Sequence, residues 1–452
     1  MPPTAVSTST ALYAQHVNPQ WARLLDLLQM NVRYTRCSGA ELFDSEGRRI
    51  LDFMSGYCVH NAGHNHPKIV LAIKTELDRC GPAMLQSHIP EIAGELAAAL
   101  CARAGGQLRK VFFCSSGSEG VEAAIKFARA HAGRPGLIYA DRAFHGLTCG
   151  ALSLMGDPSW REAFGPLLAD AQSVPFGDIG ALERALSGKR AAAFIVEPVQ
   201  AEGGVNVPGP DYLPAAQALC RRYGALLVLD EIQTGMYRTG RFLAAHHFGL
   251  EPDIVILAKA LSGGLVPCGA VLMSDRVYQS VYSSLRRAVI HTSTFSENSL
   301  AMRAALATLE VLEEERLGER AQAAGARLRG GLEKALRGYE MIAGVRGMGL
   351  LCGIVFQPPR HMRLKIPFEA FRKIHPGMFG QMLVMRLFRE KAMLTQVCGN
   401  NFMVLKAAPP LAIREEQIDE FIAAVREVVE FVHSSLTFWS DALNLARRVV
   451  NI

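Results

Sequence analysis

Apolar residues fall in short unbroken runs through the middle of the chain, and two of these runs end abruptly in charge. Leu226-Leu227-Val228-Leu229 leads into Asp230, and Ile254-Val255-Ile256-Leu257-Ala258 leads into Lys259. Runs of this length, with Gly and Pro on their flanks, read as parallel strands buried on both faces. Similar runs stand at 110–114, 137–140, 192–196 and 269–273. Helical spacing of apolar positions fills 69–79, 91–104, 121–130, 214–223, 300–312, 317–336 and 415–432, and part of a helix covers 277–283. Strand and helix alternating from 110 to 257 predict an α/β fold with a doubly wound, mostly parallel sheet. In such a sheet the ligand crevice lies outside the carboxyl ends of the strands. Asp230 and Lys259 are therefore aimed into one crevice.

The flanks have a different pattern. Residues 1–20 read as a mobile arm, 21–30 as helical, and 40–53 as a hairpin turning at Ser45-Glu46-Gly47. Composition shifts at Gly338-Tyr339, after which 341–356 reads as a hairpin and 403–407 as a strand. The division expected is an arm (1–20), an N-terminal segment (21–80) contributing to a small domain, a large domain (81–337), and a C-terminal small domain (338–452). That last part carries a basic, Met-rich and aromatic insertion at 357–399, which reads as packing on the small domain or, as the alternative, as a lid over a hydrophobic substrate, and an amphipathic tail at 436–452.

Composition narrows the function classes. The net charge of +6 comes from 48 basic and 42 acidic residues scattered along 452, against the concentrated face of a nucleic-acid binder. Ten cysteines occur with no CxxC spacing, which fits a reducing, cytoplasmic setting better than a zinc or disulfide framework. The start, MPPTAVSTST, has neither the basic nor the apolar segment of a signal peptide. The apolar stretch 254–273 holds Lys259 and Pro267 and reads as strand–loop–strand, so no membrane association is expected. His60, His64 and His66 sit in HNAGHNHP, which is turn chemistry lacking a completed ligand set, and no metal is expected.

Two more features bear on chemistry. The strand at 110–114 opens through Ser115-Ser116-Gly117-Ser118-Glu119-Gly120 into a helix. The first amides of a helix have no internal partner and its dipole favours negative charge, so a phosphate could sit there, with Ser116 and Ser118 adding hydroxyls. An ordinary capped helix explains the same residues about as well. Phe144, just past the strand at 137–140, could stack on a flat ring or belong to the core. A phosphate site, a stacking aromatic, an acid and a lysine together suit pyridoxal 5′-phosphate (PLP). Lys259 would form the Schiff base and then serve as the base for proton transfer, and Asp230 would keep the ring nitrogen protonated.

At these residues the chain resembles the class III PLP-dependent aminotransferases of fold type I, the ornithine, acetylornithine and diamine aminotransferases among them. The matches are SSGSEGVEAAIKFAR at 115–129, FHG at 144–146, VEPVQAEGGV at 196–205, LVLDEIQTG at 227–235, AKALSGG at 258–264 and TSTFSEN at 292–298, in the family's order over roughly 20–430. The resemblance implies a mostly parallel large domain and a smaller α+β domain built from both chain ends. It implies a homodimer with shared active sites. It assigns Lys259 and Asp230 to catalysis, and Ser116, Gly117, Ser118, Phe144, His145, Glu197 and Gln233 to the cofactor. Ser293 and Thr294 would reach the phosphate in the neighbouring subunit. Tyr57, Leu147, Glu202 and Lys406 would face substrate.

Two of these depart from the ornithine and acetylornithine enzymes, which usually carry Arg where Leu147 and Lys406 stand. Lys lacks the bidentate fork that grips a carboxylate. The activity expected is thus ping-pong transfer of an amino group between an amine, diamine, ω-amino compound or hydrophobic aldehyde and an amino acid/2-oxo acid pair. Ornithine or acetylornithine transamination is one alternative; a PLP-dependent aminomutase, racemase or decarboxylase is another, as is a binding protein on this fold.

Overall fold

A computed structural model describes residues 8–435, except 86, 375 and 376, together with 438 and 439. Fifteen strands are described, in three sheets. Near the N-terminus β1 (Tyr34–Ser38), β2 (Glu41–Asp44) and β3 (Arg49–Asp52) form an antiparallel meander. The central sheet contains β4 (Leu108–Cys114), β5 (Gly136–Ala140), β6 (Ala171–Val174), β7 (Ala191–Val196), β8 (Leu226–Asp230), β9 (Ile254–Leu257) and β10 (Gly269–Ser274). Its order is β4-β10-β9-β8-β7-β5-β6. β10 is antiparallel to both its neighbours and the remaining pairs are parallel, so six of the seven strands run one way.

Alternate residues of the central strands go to opposite faces, and both faces are buried. Ile138, Phe194, Leu227, Leu229 and Val255 join one apolar cluster with helices Glu91–Ala104 and Tyr212–Tyr223. Leu137, Ile195, Val228 and Ile256 join a second with helices Gly117–Ala132 and Asp275–Val281. Two-sided burial is why these strands are continuously apolar.

The remaining sheet holds β11 (Ile342–Met348), β12 (Leu351–Phe356), β14 (Gln396–Cys398) and β15 (Asn401–Ala407) in the order β11-β12-β15-β14. A two-residue strand, β13 (Met393–Leu394), crosses to pair in parallel with Leu51 and Asp52 of β3. The two chain ends are therefore joined by backbone hydrogen bonds. Within 357–399, helices Met362–Ile374 and Met378–Lys391 occur, and the second is almost wholly buried through Met382, Leu383, Leu387 and Phe388.

Some expectations change. Part of the arm expected over 1–20 is helical, at Thr8–His16, and the next helix starts at Pro19; residues 1–7 lie outside the described residues. β6 was not foreseen. The tail expected at 436–452 lies outside the described residues apart from Phe438 and Trp439, which are buried. Among the described residues no helix is long and apolar enough to cross a membrane.

Candidate active site

Two connected cavities open at the carboxyl ends of β7, β8 and β9. The inner one, about 140 Å³, is lined by the start of helix Gly117–Ala132, the turn Phe144–Gly146, and Glu197, Asp230, Ile232, Gln233, Thr234 and Lys259. The outer one, about 540 Å³, is lined by Tyr57, Phe144, Trp160, Glu202, Gln233 and Lys259, with Gln381, Gln396, Val397 and Phe402. Phe144, Gln233 and Lys259 belong to both walls.

The inner cavity is built for an anion at one end and a cation at the other. Ser116 caps the helix, its Oγ accepting from Glu119 N at 3.2 Å, and Glu119 Oε2 accepts from Ser115 N at 2.7 Å. That leaves the first-turn amides of Gly117 and Ser118 without an acceptor among the described residues. Gly117 is required by space: a Cβ there would lie 2.6 Å from Ile232 Cδ1. Gly146, at φ +120°, lets the Phe144 turn press on Ser118, whose Oγ would lie 2.1 Å from an added Cβ.

At the other end, Asp230 Oδ2 lies 2.7 Å from His145 Nδ1, and Asp230 Oδ1 accepts from Ile232 N at 3.1 Å. A carboxylate can only accept, so the imidazole donates from Nδ1. Burial works to lower the His145 pKa, but the hydrogen bond and charge of Asp230, with Glu197 behind, hold it above its ordinary value. Glu197 accepts from the amides of Phe144 and Ala201; burial first, then the charge of Asp230, pushes its pKa up to about 7. Lys259 stands two residues beyond β9 at φ 49°, and burial lowers its pKa from the ordinary lysine value.

A fit to PLP follows from what is left unsatisfied. His145 Nε2 and Gln233 Oε1 are buried polar atoms with no hydrogen-bond partner among the described residues, and buried polar groups normally have one. Together with the free helix amides, the Phe144 ring and the Lys259 amine, they match a flat, phosphorylated, aldehyde-bearing ring. Gly117 and Ser118 would hold its phosphate, Phe144 its face, Asp230 its ring nitrogen and Lys259 its aldehyde carbon.

The substrate side differs from the sequence picture in two places. Leu147 is exposed and lines neither cavity; its amide donates to Ser118 Oγ at 3.4 Å. Lys406 is buried behind the outer wall and is ion-paired to Glu202 Oε1, with its Nζ 5.0 Å from the Tyr57 ring centroid. Glu202 also accepts from Gly399 N at 2.9 Å and Gln233 Nε2 at 3.3 Å. Burial opposes both charges, but each overrides it for the other: Glu202 is held low and Lys406 high. Ser293 and Thr294 lie away from both cavities, beside Pro82–Leu85 and Arg303. The three histidines of the HNAGHNHP loop have protein contacts: His64 bonds Asp52 at 2.7 Å, His60 stacks on His64, and His66 bonds Glu315 at 2.8 Å.

Sequence reasoning missed several wall residues. Trp160 follows Asp157-Pro158-Ser159 in a short turn, where nothing in the local pattern marks it. Its indole donates to Asn400 Oδ1 at 2.9 Å and its ring meets Phe144 edge-on. Tyr57, by contrast, was expected to face substrate and does line the outer cavity; it belongs to a left-handed turn in which Ser55, Gly56, Tyr57 and Cys58 have φ of 45°, 61°, 62° and 67°. Each non-glycine residue in that region costs about 1–2 kcal/mol. The turn is held by Asp52 Oδ1, which accepts from the amides of Met54 and Ser55 at 2.8 Å each. Arg238 is fully buried nearby.

Comparison with known proteins adds three findings. Residues 26–429 match the family described as class-III aminotransferases. Aminotransferase PigE of Serratia sp. (strain ATCC 39006) is 36% identical over 450 residues, which cover 92% of this chain and 53% of that protein. The chain thus spans about half the length of that relative. Putrescine aminotransferase of Pectobacterium atrosepticum is 38% identical over 89% of this chain and 83% of its own. Among solved structures, an ornithine aminotransferase of Toxoplasma gondii with partial occupancy of PLP at its active site superposes with a TM-score of 0.80, at 29% identity, over 95% of this chain and 99% of that one.

Proposed function

The chain belongs to the class-III aminotransferase family, whose cofactor is PLP, and from that premise we propose that it transfers the amino group of an amine, diamine or ω-amino compound to a 2-oxo acid by a ping-pong mechanism. One observation carries the substrate class: among the described residues Lys259 is the sole basic one lining the outer chamber. An amino acid such as ornithine brings a carboxylate that must be held away from its reacting amine. Lys406, the cation nearest to that task, is sequestered by Glu202. The chamber instead offers Tyr57, Phe144, Trp160 and Phe402, whose rings suit an aliphatic chain and can face a distal ammonium. The putrescine aminotransferase relative supports the same reading.

PLP, when bound, supplies a ring able to take up the electron pair of the substrate Cα–H bond. The residues do the rest. Asp230 holds a proton at the ring nitrogen. Lys259, its pKa depressed by burial, would serve as the base that takes up the substrate Cα proton and returns it. Phe144 and the helix amides fix the ring plane, and the aromatic wall excludes water.

Holoenzyme mixed with a panel of amino donors should lose its visible cofactor band fastest with diamines and simple primary amines. The rate constants with ornithine and acetylornithine should be lower by about tenfold or more, the discrimination expected when a charged group is left unpaired in the chamber. A preference for ornithine or acetylornithine would reject the substrate assignment and leave the family intact.

The reading extends to a homodimer. Leu85, Ile89, Leu285, Val289, Ile290 and Phe295 are all exposed in the single chain. Large exposed apolar groups close to a cavity lined by Thr292–Ser296 support a self-interface, which would carry Ser293 and Thr294 toward a second subunit's phosphate site. Sedimentation equilibrium should give about twice the 49.2 kDa chain mass. Ile89→Asp with Phe295→Asp should shift it toward monomer and lower cofactor occupancy in step. A monomeric wild-type protein with full cofactor occupancy would refute this extension.

A further inference from the structure

The left-handed turn at Ser55–Cys58 is unfavourable by itself, yet it forms part of the outer chamber through Gly56 and Tyr57. Something must over-determine it. Arg238 is 0% exposed, and its described partners are all neutral: the carbonyls of Leu350 (3.0 Å) and Pro409, Ser55 Oγ (3.3 Å) and Asn61 Oδ1 (2.6 Å). A buried guanidinium without a carboxylate is costly to desolvate, and burial does depress its pKa. Stability alone would be served better by an apolar side chain at this place. What the fork achieves is geometric. One Nη grips the chain between β11 and β12, at Leu350, and the chain just after β15, at Pro409. The other grips the start of the strained segment at Ser55 and the chain three residues beyond it at Asn61. Two further bonds complete the clamp: Asn61 Nδ2 donates to Met236 O at 2.8 Å, and Ser55 Oγ donates to Ala408 O at 2.7 Å.

We propose that Arg238 is a positioning residue that holds the left-handed turn against the large domain, and so sets Tyr57 as one wall of the substrate chamber. The proposal rests on the amine-chamber reading above. Arg238 lies on the Gly235–Gly240 segment that follows Asp230 and Gln233, so the clamp also ties the turn to the segment that lines the cofactor cavity. Tyr57 touches substrate but not the migrating proton; displacing it removes binding shared by ground and transition states, which raises KM and spares kcat.

The test is a double-mutant cycle on the holoenzyme, read together with hydrogen exchange. Tyr57→Ala and Arg238→Gln should each raise KM for a diamine donor by about tenfold while kcat stays within about threefold. The double variant should be no worse than either single one, because the ring is already displaced when the clamp is gone. Independent losses, giving an increase of about a hundredfold in the double variant, would overturn the proposal. Amides 54–61 should exchange about tenfold or more faster in Arg238→Gln, while those of helix Gly117–Ala132 are unchanged. That readout involves no substrate, so it separates failure of the clamp from failure of the substrate assignment. Ser55→Ala, which deletes the two hydroxyl contacts to Arg238 and Ala408 and leaves the rest of the clamp, is the milder variant if Arg238→Gln does not fold. It should show the same exchange pattern with a KM increase of about threefold. Unchanged exchange at 54–61 in the variants that fold would overturn the clamp.

Discussion

Lys259→Ala should abolish turnover: the expected fall is at least about 10⁴-fold, the upper range for losing a positioned acid–base group, because in the proposed mechanism the same side chain would also tether the cofactor. Among the described residues His145 is the only other basic group lining either cavity, and its Nδ1 is engaged by Asp230, so no neighbour can substitute. Arginine at this place should fail as well, since a guanidinium does not give up its proton. The fold should tolerate the change. Lys259 sits at φ 49°, which alanine adopts at the same cost. Its depressed pKa means that the fold prefers the neutral amine, so below the folded pKa the buried side chain costs stability. That cost disappears as pH rises toward the ordinary lysine value of 10.5. Apo Lys259→Ala should therefore melt at or above the wild type at neutral pH, with the gap closing in strong alkali. Borohydride should fix the cofactor to the wild type and not to the variant. Turnover within tenfold of wild type would remove Lys259 from the centre of the mechanism.

How far this site could be read from the chain depended on whether the signal was local. Asp230 and Lys259 were visible because each breaks an unbroken apolar run at a strand end, and the sheet buries both faces of that run. Ser116–Ser118 were visible because a strand, a small polar loop and a helix follow one another without interruption. β6 was not, because Ala171-Gln172-Ser173-Val174 is an edge strand with partly exposed positions and no apolar run. Thr8–His16 forms a helix without an apolar stripe, so its sequence has little helical periodicity. The chamber wall was the least legible part. Trp160, Gln381 and Phe402 come from three separate segments, and each makes sense only once folding has brought them to Tyr57. Lys406, expected to face substrate, and Arg238, which carries no local signal, are both buried through partners far along the chain, Glu202 for one and backbone carbonyls for the other.

Asp230→Asn should lower kcat by about 10²–10³-fold, the magnitude seen when one preorganised electrostatic contact to developing charge is removed. The substitution keeps size and loses charge. Asn Oδ1 can still accept from Ile232 N, which now lies 3.1 Å from Asp230 Oδ1. The amide NH₂, however, would face His145 Nδ1 in place of the carboxylate oxygen 2.7 Å away. The imidazole must then move its proton to Nε2, which is buried and has no partner among the described residues. At the cofactor, a neutral amide cannot hold a proton on the ring nitrogen as a carboxylate does. The loss should fall on kcat, because the phosphate, ring-face and Lys259 contacts remain. The His145 pKa gives a second signature. Its elevation depends on Asp230 overcoming burial, and an elevated imidazole adds stability below the ordinary value of 6.5 that disappears as pH rises through the folded pKa. Apo Asp230→Asn should therefore lag the wild type in melting temperature most at pH 5–6, with the difference narrowing in alkaline buffer. A variant with wild-type kcat and a pH-independent melting difference would show that neither the ring proton nor the imidazole depends on this carboxylate.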